Sequence, residues 1–431
     1  MSTLTPDRLN DPEVVRTEPA LTPVSWRNAI LYGVIALVAL FGFALSTAAA
    51  DVSRLIVSTS NDAVQIAPLL LPSRTTALAL AVIAVVLAAL AFYATMNRKR
   101  FGPMLPVAFG VVVLLAFLVW VVAGNESGLP LPHLLSTALT AALPLVFGGI
   151  AGLLCERSGI INIAIEGQLL AGAFLAVVVG TATGSPYLGL IAAPIAGALV
   201  GLLLALFSIK YRVDQIIVGV VLNVLVIGLT NYLFSTVLTQ NPGGLNSPPR
   251  VPVIAIPVLS QIPVLGPVLF RQTIIVYLMF ALVAFLQVMV FRSRWGLRMR
   301  SVGEHPEAAD TVGINVNRTR YRNTVLGSAI AGFGGAALVS VGLAFTKELT
   351  AGRGYIALAA MILGRWNPTG ALAAALLFGF ADSLNRVLGN IGSPVPSQLL
   401  AMLPYLATIF AVAGLVGRVR PPAAEGTPYP K

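Results

Sequence analysis

The chain has 431 residues, of which 57% are hydrophobic and only 10% are charged. In an ordinary soluble domain about a quarter of the residues are charged. The composition and the mean hydropathy of +0.89 therefore exclude a soluble enzyme. Apolar runs of about 20 residues recur along the sequence, and a helix of that length crosses a bilayer. We predict an all-α fold, a polytopic bundle of transmembrane helices.

The formal net charge is +11, and most of the lysines and arginines fall in alternate loops. Such residues crowd the cytoplasmic ends of membrane spans. With the N-terminus inside, residues 98–100, 292–300 and 318–322 are all cytoplasmic, and so is the C-terminus. We expect contacts with membrane lipids and no nucleic-acid partner. The single cysteine, Cys155, excludes an internal disulfide, and no metal site is predicted.

In chain order, residues 1–28 are polar and Pro-rich and are predicted to be a disordered cytoplasmic tail. Residues 29–130 hold additional transmembrane segments, residues 131–418 form the core, and residues 419–431 are a cytoplasmic tail. We expect ten or eleven spans plus one half-length helix. The apolar runs are 29–49, 77–96, 105–123, 133–154, 160–179, 188–208, 215–238, 272–291, 323–346, 369–388 and 399–416, with a shorter one at 354–364.

Three segments depart from simple spans. Residues 239–271 contain seven prolines and predict a semi-rigid outer loop without a helix. Residues 292–322 form an arginine-rich inner loop. Residues 347–368 contain an apolar run too short to cross a bilayer, which predicts a half-helix that ends inside the protein.

A short sequence pattern occurs twice in the chain. Residues 159–164 and 354–359 share the pattern G-x-I-x-[I/L]-A. In the predicted topology the first enters from inside and the second from outside. An inverted repeat in the C-terminal two thirds of the chain would give this pattern.

Few polar residues lie within the apolar runs. Asn162 and Glu166 are four apart and are predicted to share one helix face, where they either line a translocation pathway or only join helices. Asp382 and Arg386 are also four apart and favour an intrahelical ion pair. Asn223 lies on another span, where a polar residue more often joins helices than contacts a ligand. Trp295 and Trp366 fit interfacial anchors.

No G-x-x-x-x-G-K-[S/T] motif occurs in the sequence, so the chain is not expected to hydrolyse ATP. We predict no catalytic residue and no cofactor bound by this chain. The inner loop holds one further element, a short helix at about 306–312. Pro306 suits its first turn and Gly313 its end. A small Ala-rich helix between arginines suggests a docking element for a cytoplasmic partner.

Together these blocks resemble a known family. The segment 296–304 with Ala308, Ala309 and 313–314 is similar to the coupling loop of bacterial ATP-binding cassette (ABC) importer permeases of the branched-chain amino acid/ribose type. The segments 156–167 and 351–368 resemble the nucleoside (simple-sugar) permeases that work with Bmp-like binding lipoproteins. The resemblance covers about residues 133–416, so the core, 131–418, would be an ABC permease core.

The resemblance implies an importer in the bacterial plasma (inner) membrane that translocates nucleosides or related simple sugars. A second permease, identical or different, would complete the pathway, an extracytoplasmic solute-binding lipoprotein would deliver solute, and a partner ATPase would bind ATP and magnesium. The implied substrate-pathway residues are Asn162, Glu166, Asn223, Gly352 and Gly354. The implied ATPase coupling residues are Arg298, Gly303, Glu304, Ala308, Ala309, Asp310 and Gly313.

Two other functions remain open. A proton- or sodium-coupled secondary transporter would use intramembrane carboxylates, and Glu166 and Asp382 are its candidates. That hypothesis leaves the short helix of the inner loop unexplained. A membrane scaffold without transport activity is the third hypothesis.

Overall fold

A computed structural model describes residues 26–98, 104–392, 395–396, 398–402, 405 and 420–430. Most of the predicted N-terminal tail and most of the predicted last span, 399–416, lie outside these residues. The chain divides into two compact units. One comprises residues up to Asp51 together with Pro72–Trp120, and the other comprises Val52–Leu71 with Val121 onwards.

Helices dominate the described residues, and the strands are few and short. The helices are α1 Arg27–Leu37, α2 Ser73–Met96, α3 Met104–Val121, α4 Leu131–Glu156, α5 Ile165–Thr183, α6 Pro186–Ala205, α7 Gln215–Leu233, α8 Pro242–Leu245, α9 Ile274–Arg292, α10 Arg294–Glu304, α11 Pro306–Thr311, α12 Val316–Val339, α13 Arg353–Leu363 and α14 Pro368–Asn390. The strands are β1 Val52–Ile56, β2 Leu69–Pro72, β3 Leu129–Pro130, β4 Val253–Ala255 and β5 Arg271–Thr273. The order in the first sheet is β2-β1-β3, with β1 and β3 parallel, and β4 pairs antiparallel with β5.

Nine helices of the described residues are long and apolar enough to cross a membrane. Helix α12 is a tenth long helix, but its first two turns carry Arg318, Arg320 and Arg322, which lower its hydropathy. The predicted all-α polytopic bundle is therefore confirmed. Turns of π-helix extend α1, α6 and α7 to Ala44, Lys210 and Leu238.

The first unit contains α1, α2 and α3. Helix α2 buries an alanine at almost every turn along one face. Its Ala84 and Ala88 pack with Ala36 of α1 and Phe109 of α3 in one apolar cluster. Small side chains let helices approach closely where lipid leaves no hydrophobic drive between them.

The second unit is built around α4, which is buried along most of its length and packs against α12, α13 and α14. Helices α5, α6 and α12 pack closely together through glycines. A methyl group at Gly335 of α12 would overlap the carbonyl oxygen of Leu169 of α5, and one at Gly172 would overlap Gly332. These positions have room only for hydrogen.

Both polar loops hold more structure than the sequence analysis predicted. The expectation of no helix in 239–271 was wrong, since α8 forms there, and β4 of the same loop pairs with β5. Residues 292–322 contain a second helix, α10, that we did not predict. It is capped by Ser293 and buries Met299 and Val302 while its arginines stay largely outside. The dense arginines hid this amphipathic pattern.

The predicted half-helix is confirmed as α13. Its 11 residues span about 16 Å, roughly half the hydrocarbon thickness. The two segments that share the sequence pattern do not share a conformation. Residues 354–359 are helical, whereas residues 159–164 are irregular. The two helix starts that meet in space are Ile165 and Arg353, as described below.

The glycine contacts give a stability prediction. Gly335→Ala places a methyl group against the backbone of α5, and the helices must separate, at a cost of roughly 1–3 kcal/mol. We expect a lower midpoint of thermal unfolding in detergent. Gly228→Ala of α7 is the matched control, because no atom lies within 4 Å of its new methyl group. Equal midpoints for the two variants would contradict the packing argument.

Candidate functional site

The N-terminal turns of α5 and α13 meet inside the second unit. The first turn of α5 carries Glu166, whose carboxylate accepts hydrogen bonds from the backbone N–H groups of Gly352 (2.8 Å) and Gly354 (2.6 Å). The first N–H groups of a helix have no partner within the helix and carry partial positive charge. The carboxylate of Glu166 on α5 thus accepts the hydrogen bonds of backbone N–H groups at the start of α13 that have no partner within the helix. A side chain at Gly354 would collide with the backbone of Glu166.

Asn223 of α7 joins the same site. Its Oδ1 accepts from the backbone N–H of Gly167 at 2.8 Å. Its Nδ2 donates to the carbonyl of Ile163 at 2.9 Å and to the hydroxyl of Tyr355 at 3.2 Å. One amide therefore ties α7 to α5 and to α13. We call Glu166, Asn223, Gly352 and Gly354 the helix-start cluster.

Asn162 lies outside this cluster. Helix α5 begins at Ile165, so the predicted shared helix face with Glu166 was wrong. Asn162 instead sits in the irregular segment before the helix, where its amide exchanges two hydrogen bonds of 3.0 Å with the amide of Gln168. Gly159, at φ +91°, turns the chain into this segment, a conformation that side chains other than glycine rarely adopt.

The structure thus brings four of the five predicted pathway residues into one cluster. The exposed fractions of Asn162, Glu166 and Asn223 are 0%, 5% and 1%, and their polar atoms are bonded to protein. Buried polar groups satisfied in this way hold helices in place. A pathway role for them stays a prediction.

A cavity of about 230 Å³ lies between α4, α13 and α14. Polar groups reach it from Arg353, next to the helix-start cluster, and from Asp382 and Asn385 of α14, and Phe378 and Tyr405 also line it. Asp382 forms the predicted ion pair with Arg386, with 3.0 Å between Oδ2 and Nη2. The other polar lining was not predicted from the sequence, although Asp382 and Asn385 are three apart and lie on one helix face.

The seven predicted coupling residues also come together, at one end of the second unit. We call it the arginine-rich end; it comprises residues 157–159, α10, α11 and the first turns of α12. Helix α11 confirms the predicted short helix, and Gly313, at φ +84°, follows it. The seven residues differ in exposure. Those exposed are Arg298, Glu304, Ala308 and Gly313, Asp310 is half-buried, and Gly303 and Ala309 are buried.

The far end of α13 is fixed at the arginine-rich end. The indole of Trp366 donates to Glu156 at 2.6 Å, and Arg157 donates two bonds to the carbonyl of Trp366, at 3.1 and 3.0 Å. Trp366 is only 5% exposed, so the predicted interfacial anchor was wrong for this residue. Trp295 donates to Asn323 at 3.0 Å and so also joins two helices.

The Glu166 contacts give a second stability prediction. In Glu166→Gln, the side-chain NH₂ group points at a backbone N–H that needs an acceptor. Leaving such a buried donor unsatisfied costs roughly 1–3 kcal/mol, so the thermal unfolding midpoint should fall. Glu126→Gln is the control, because this side chain is exposed. An unchanged midpoint for Glu166→Gln would show that the carboxylate does not hold α13.

Comparison with known proteins places the second unit in a family. Residues 134–413 match the family described as branched-chain amino acid transport system / permease component. The guanosine ABC transporter permease protein NupQ of Bacillus subtilis is 39% identical in an alignment that covers 68% of this chain and 95% of the relative. The nucleoside ABC transporter permease protein NupC of Lactococcus lactis is 38% identical over 69% of this chain and 96% of its own length.

A third relative is named for a different solute, glucose. The putative glucose ABC transporter permease protein TsgC13 of Haloferax volcanii is 32% identical over 66% of this chain and 92% of its own length. No solved structure matches significantly. The family match covers more than half of the sequence, and the helices are long and apolar enough for a multi-pass membrane protein. This chain therefore belongs to the family of branched-chain amino acid transport system permease components.

Proposed function

We propose that this chain is the permease subunit of an ABC importer that carries nucleosides or related simple sugars into the cytoplasm. The names of NupQ and NupC, with identities of 39% and 38%, support nucleosides. TsgC13 is named for glucose, which keeps simple sugars within the proposal. ATP and magnesium are bound and ATP is hydrolysed by a partner subunit.

The observation that carries the proposal is α11 at the arginine-rich end. This helix of six residues lies between the long helices α9 and α12 and exposes Glu307, Ala308 and Thr311. Its inner face is fixed, since Ala309 packs with Val302 and Val316. A short rigid helix with a small exposed face fits a groove on a partner, and in this proposal the partner is the ATPase.

The proposed orientation follows from charge. The arginine-rich end carries arginines from α10, from α12 and from the 157–159 turn, and such residues favour the cytoplasmic side. The opposite end, with β1 to β3 and the 239–271 loop, then faces outward toward the solute-binding lipoprotein. Apolar side chains such as Val221, Val224 and Tyr232 of α7 are exposed. They suit contact with lipid or with the second permease, whether identical or different.

We place the solute route along the cavity beside the helix-start cluster. A ribose or hexose presents several hydroxyl groups; the carboxylate of Asp382 can accept hydrogen bonds from them, and the amide of Asn385 can both accept and donate. Phe378 and Tyr405 offer apolar surface to a base or a sugar ring. The cluster fixes the start of α13, and Arg353 of that helix lines the same cavity.

A secondary transporter is the competing hypothesis. Its two candidate carboxylates have other partners, since Glu166 accepts backbone N–H bonds and Asp382 pairs with Arg386. The two hypotheses differ in energy source. Uptake that survives an uncoupler and stops when the ATPase is inactivated supports the importer. The opposite result supports ion coupling.

Changing the exposed face of α11 tests the ATPase contact. Ala308→Arg adds a long charged side chain to the proposed docking face, and we expect roughly tenfold less ATPase to copurify and uptake to fall in proportion. Ala308→Ser, which keeps a small side chain, should retain most of both. Normal copurification and uptake in Ala308→Arg, at equal membrane abundance, would argue against α11 as the contact.

Two variants of one ion pair test the solute route. Asp382→Asn and Arg386→Gln both break the pair, which is partly exposed and is worth only about 0–1 kcal/mol. Only the first removes the carboxylate from the cavity, so we expect it to lower nucleoside uptake at least tenfold and the second to lower it less than threefold. Uptake assays in membrane vesicles measure both, and equal losses would restrict Asp382 to a structural role.

A further inference from the structure

Residues 420–430, which fall in the predicted cytoplasmic tail 419–431, lie against the arginine-rich end. The backbone N–H of Ala424 donates to the carbonyl of Gly303 at 2.9 Å, and that of Ala423 donates to the carboxylate of Glu304 at 3.2 Å. Both acceptors belong to the last turn of α10, directly before α11. The segment is therefore attached at the base of the proposed docking helix.

The same segment contacts two other elements of this end. The backbone N–H of Gly426 donates to the carbonyl of Gly159 at 3.2 Å, in the turn after α4. The carbonyl of Thr427 accepts from Arg320 of α12 at 2.8 Å. Arg320 is only 1% exposed, so this is a buried charged donor whose partner the segment supplies. Removing an acceptor from a buried charged group is costly.

Apolar contact adds to these hydrogen bonds. Tyr429 packs against a cluster of Val302, Ala309 and Val316, which come from α10, α11 and α12. Tyr429 is therefore partly buried on a cluster to which all three helices contribute.

A carboxyl pair marks the middle of the segment. The carboxyl group of Glu425 lies near that of Glu156 at the end of α4. Burial raises the pKa of Glu425, because a charged carboxylate is poorly solvated there. Glu156 also accepts from the indole of Trp366, so the segment reaches the site that fixes the end of α13.

We propose that residues 420–430 form a strap that holds α11 in register with the 157–159 turn and so completes the surface on which the ATPase docks. The strap hydrogen-bonds to the 157–159 turn, α10 and α12, and it packs on the cluster that contains Ala309 of α11. It acts as a positioning element for the coupling helix. This inference rests on the proposed function, because α11 must be the docking helix for its position to matter.

A stop codon in place of Pro422 tests the strap in the assembled transporter, by removing its hydrogen bonds and Tyr429 together. We expect at least fivefold less ATPase to copurify and a matching loss of uptake. A stop codon in place of Pro430 is the matched control, since it leaves all these contacts in place and should copurify the ATPase like the full chain. Full ATPase binding and uptake in the shorter truncation product would overturn the proposal.

If the truncated chain does not reach the membrane, Tyr429→Ala tests the strap in the full-length chain. We expect this variant to lose at least threefold in uptake with normal membrane abundance, whereas Thr427→Ala, which keeps the carbonyl that Arg320 binds, should lose less than twofold. Equal uptake in these two variants and the full chain would overturn the proposal.

A crosslink distinguishes two possibilities: a strap that stays in place, and a lid that must leave before the ATPase docks. Ile314 and Tyr429 pack on the same cluster, and the one native cysteine, Cys155, is buried. We expect the pair Ile314→Cys and Tyr429→Cys, joined by a cleavable bifunctional thiol reagent, to keep at least half the uptake of the unjoined pair. Loss of uptake on joining, with recovery on cleavage, would show a displaced lid and overturn the strap.

The outcomes also separate this inference from the function on which it rests. If the full chain copurifies no ATPase, the proposed function fails first. If the full chain binds the ATPase and the Pro422 truncation binds it equally well, only the strap fails.

Discussion

The architecture of the second unit depends on one buried carboxylate at the meeting of two helix starts. Glu166 accepts the free N–H groups at the start of α13 while standing in the first turn of α5. Water is absent at membrane depth, so a helix that ends there must have its end groups satisfied by protein. Without such an acceptor the half-length α13 would expose unpaired donors to an apolar core. Gly354 allows the close approach that makes the contact, and Gly352, at φ +80°, adopts the left-handed conformation that precedes the helix.

Helix α13 is held at both ends, and this links the cavity beside the helix-start cluster to the arginine-rich end. Its start is bound by the helix-start cluster beside the cavity, and its end is bound through Trp366 to Glu156 and Arg157. The turn after Arg157 in turn contacts α10 and the strap. A rigid helix of 11 residues therefore connects the proposed solute route to the proposed ATPase surface. Close glycine contacts among α5, α6 and α12 keep the surrounding frame stiff.

Local sequence patterns predicted the elements well. Runs of apolar residues identified the spans, a run too short to span identified α13, and Pro306 with Gly313 identified α11. Long-range contacts were not predictable in the same way. Nothing near Trp366 in sequence reveals that it is buried against Glu156, and nothing near Ala424 reveals that it binds Gly303. Helix α10 was not predicted, because its many arginines obscured the amphipathic pattern of the few apolar residues on its buried face.

The sequence by itself determined the membrane environment, the helical class, the half-helix and the short helix of the inner loop, because each depends on composition and spacing over fewer than 30 residues. The tertiary structure alone decided which polar groups meet. Asn162 does not share a helix face with Glu166, because α5 starts three residues after Asn162. Residues 420–430 lie against the arginine-rich end through hydrogen bonds to partners more than 100 residues away in sequence. Such pairings depend on how the helices pack, which no single segment encodes.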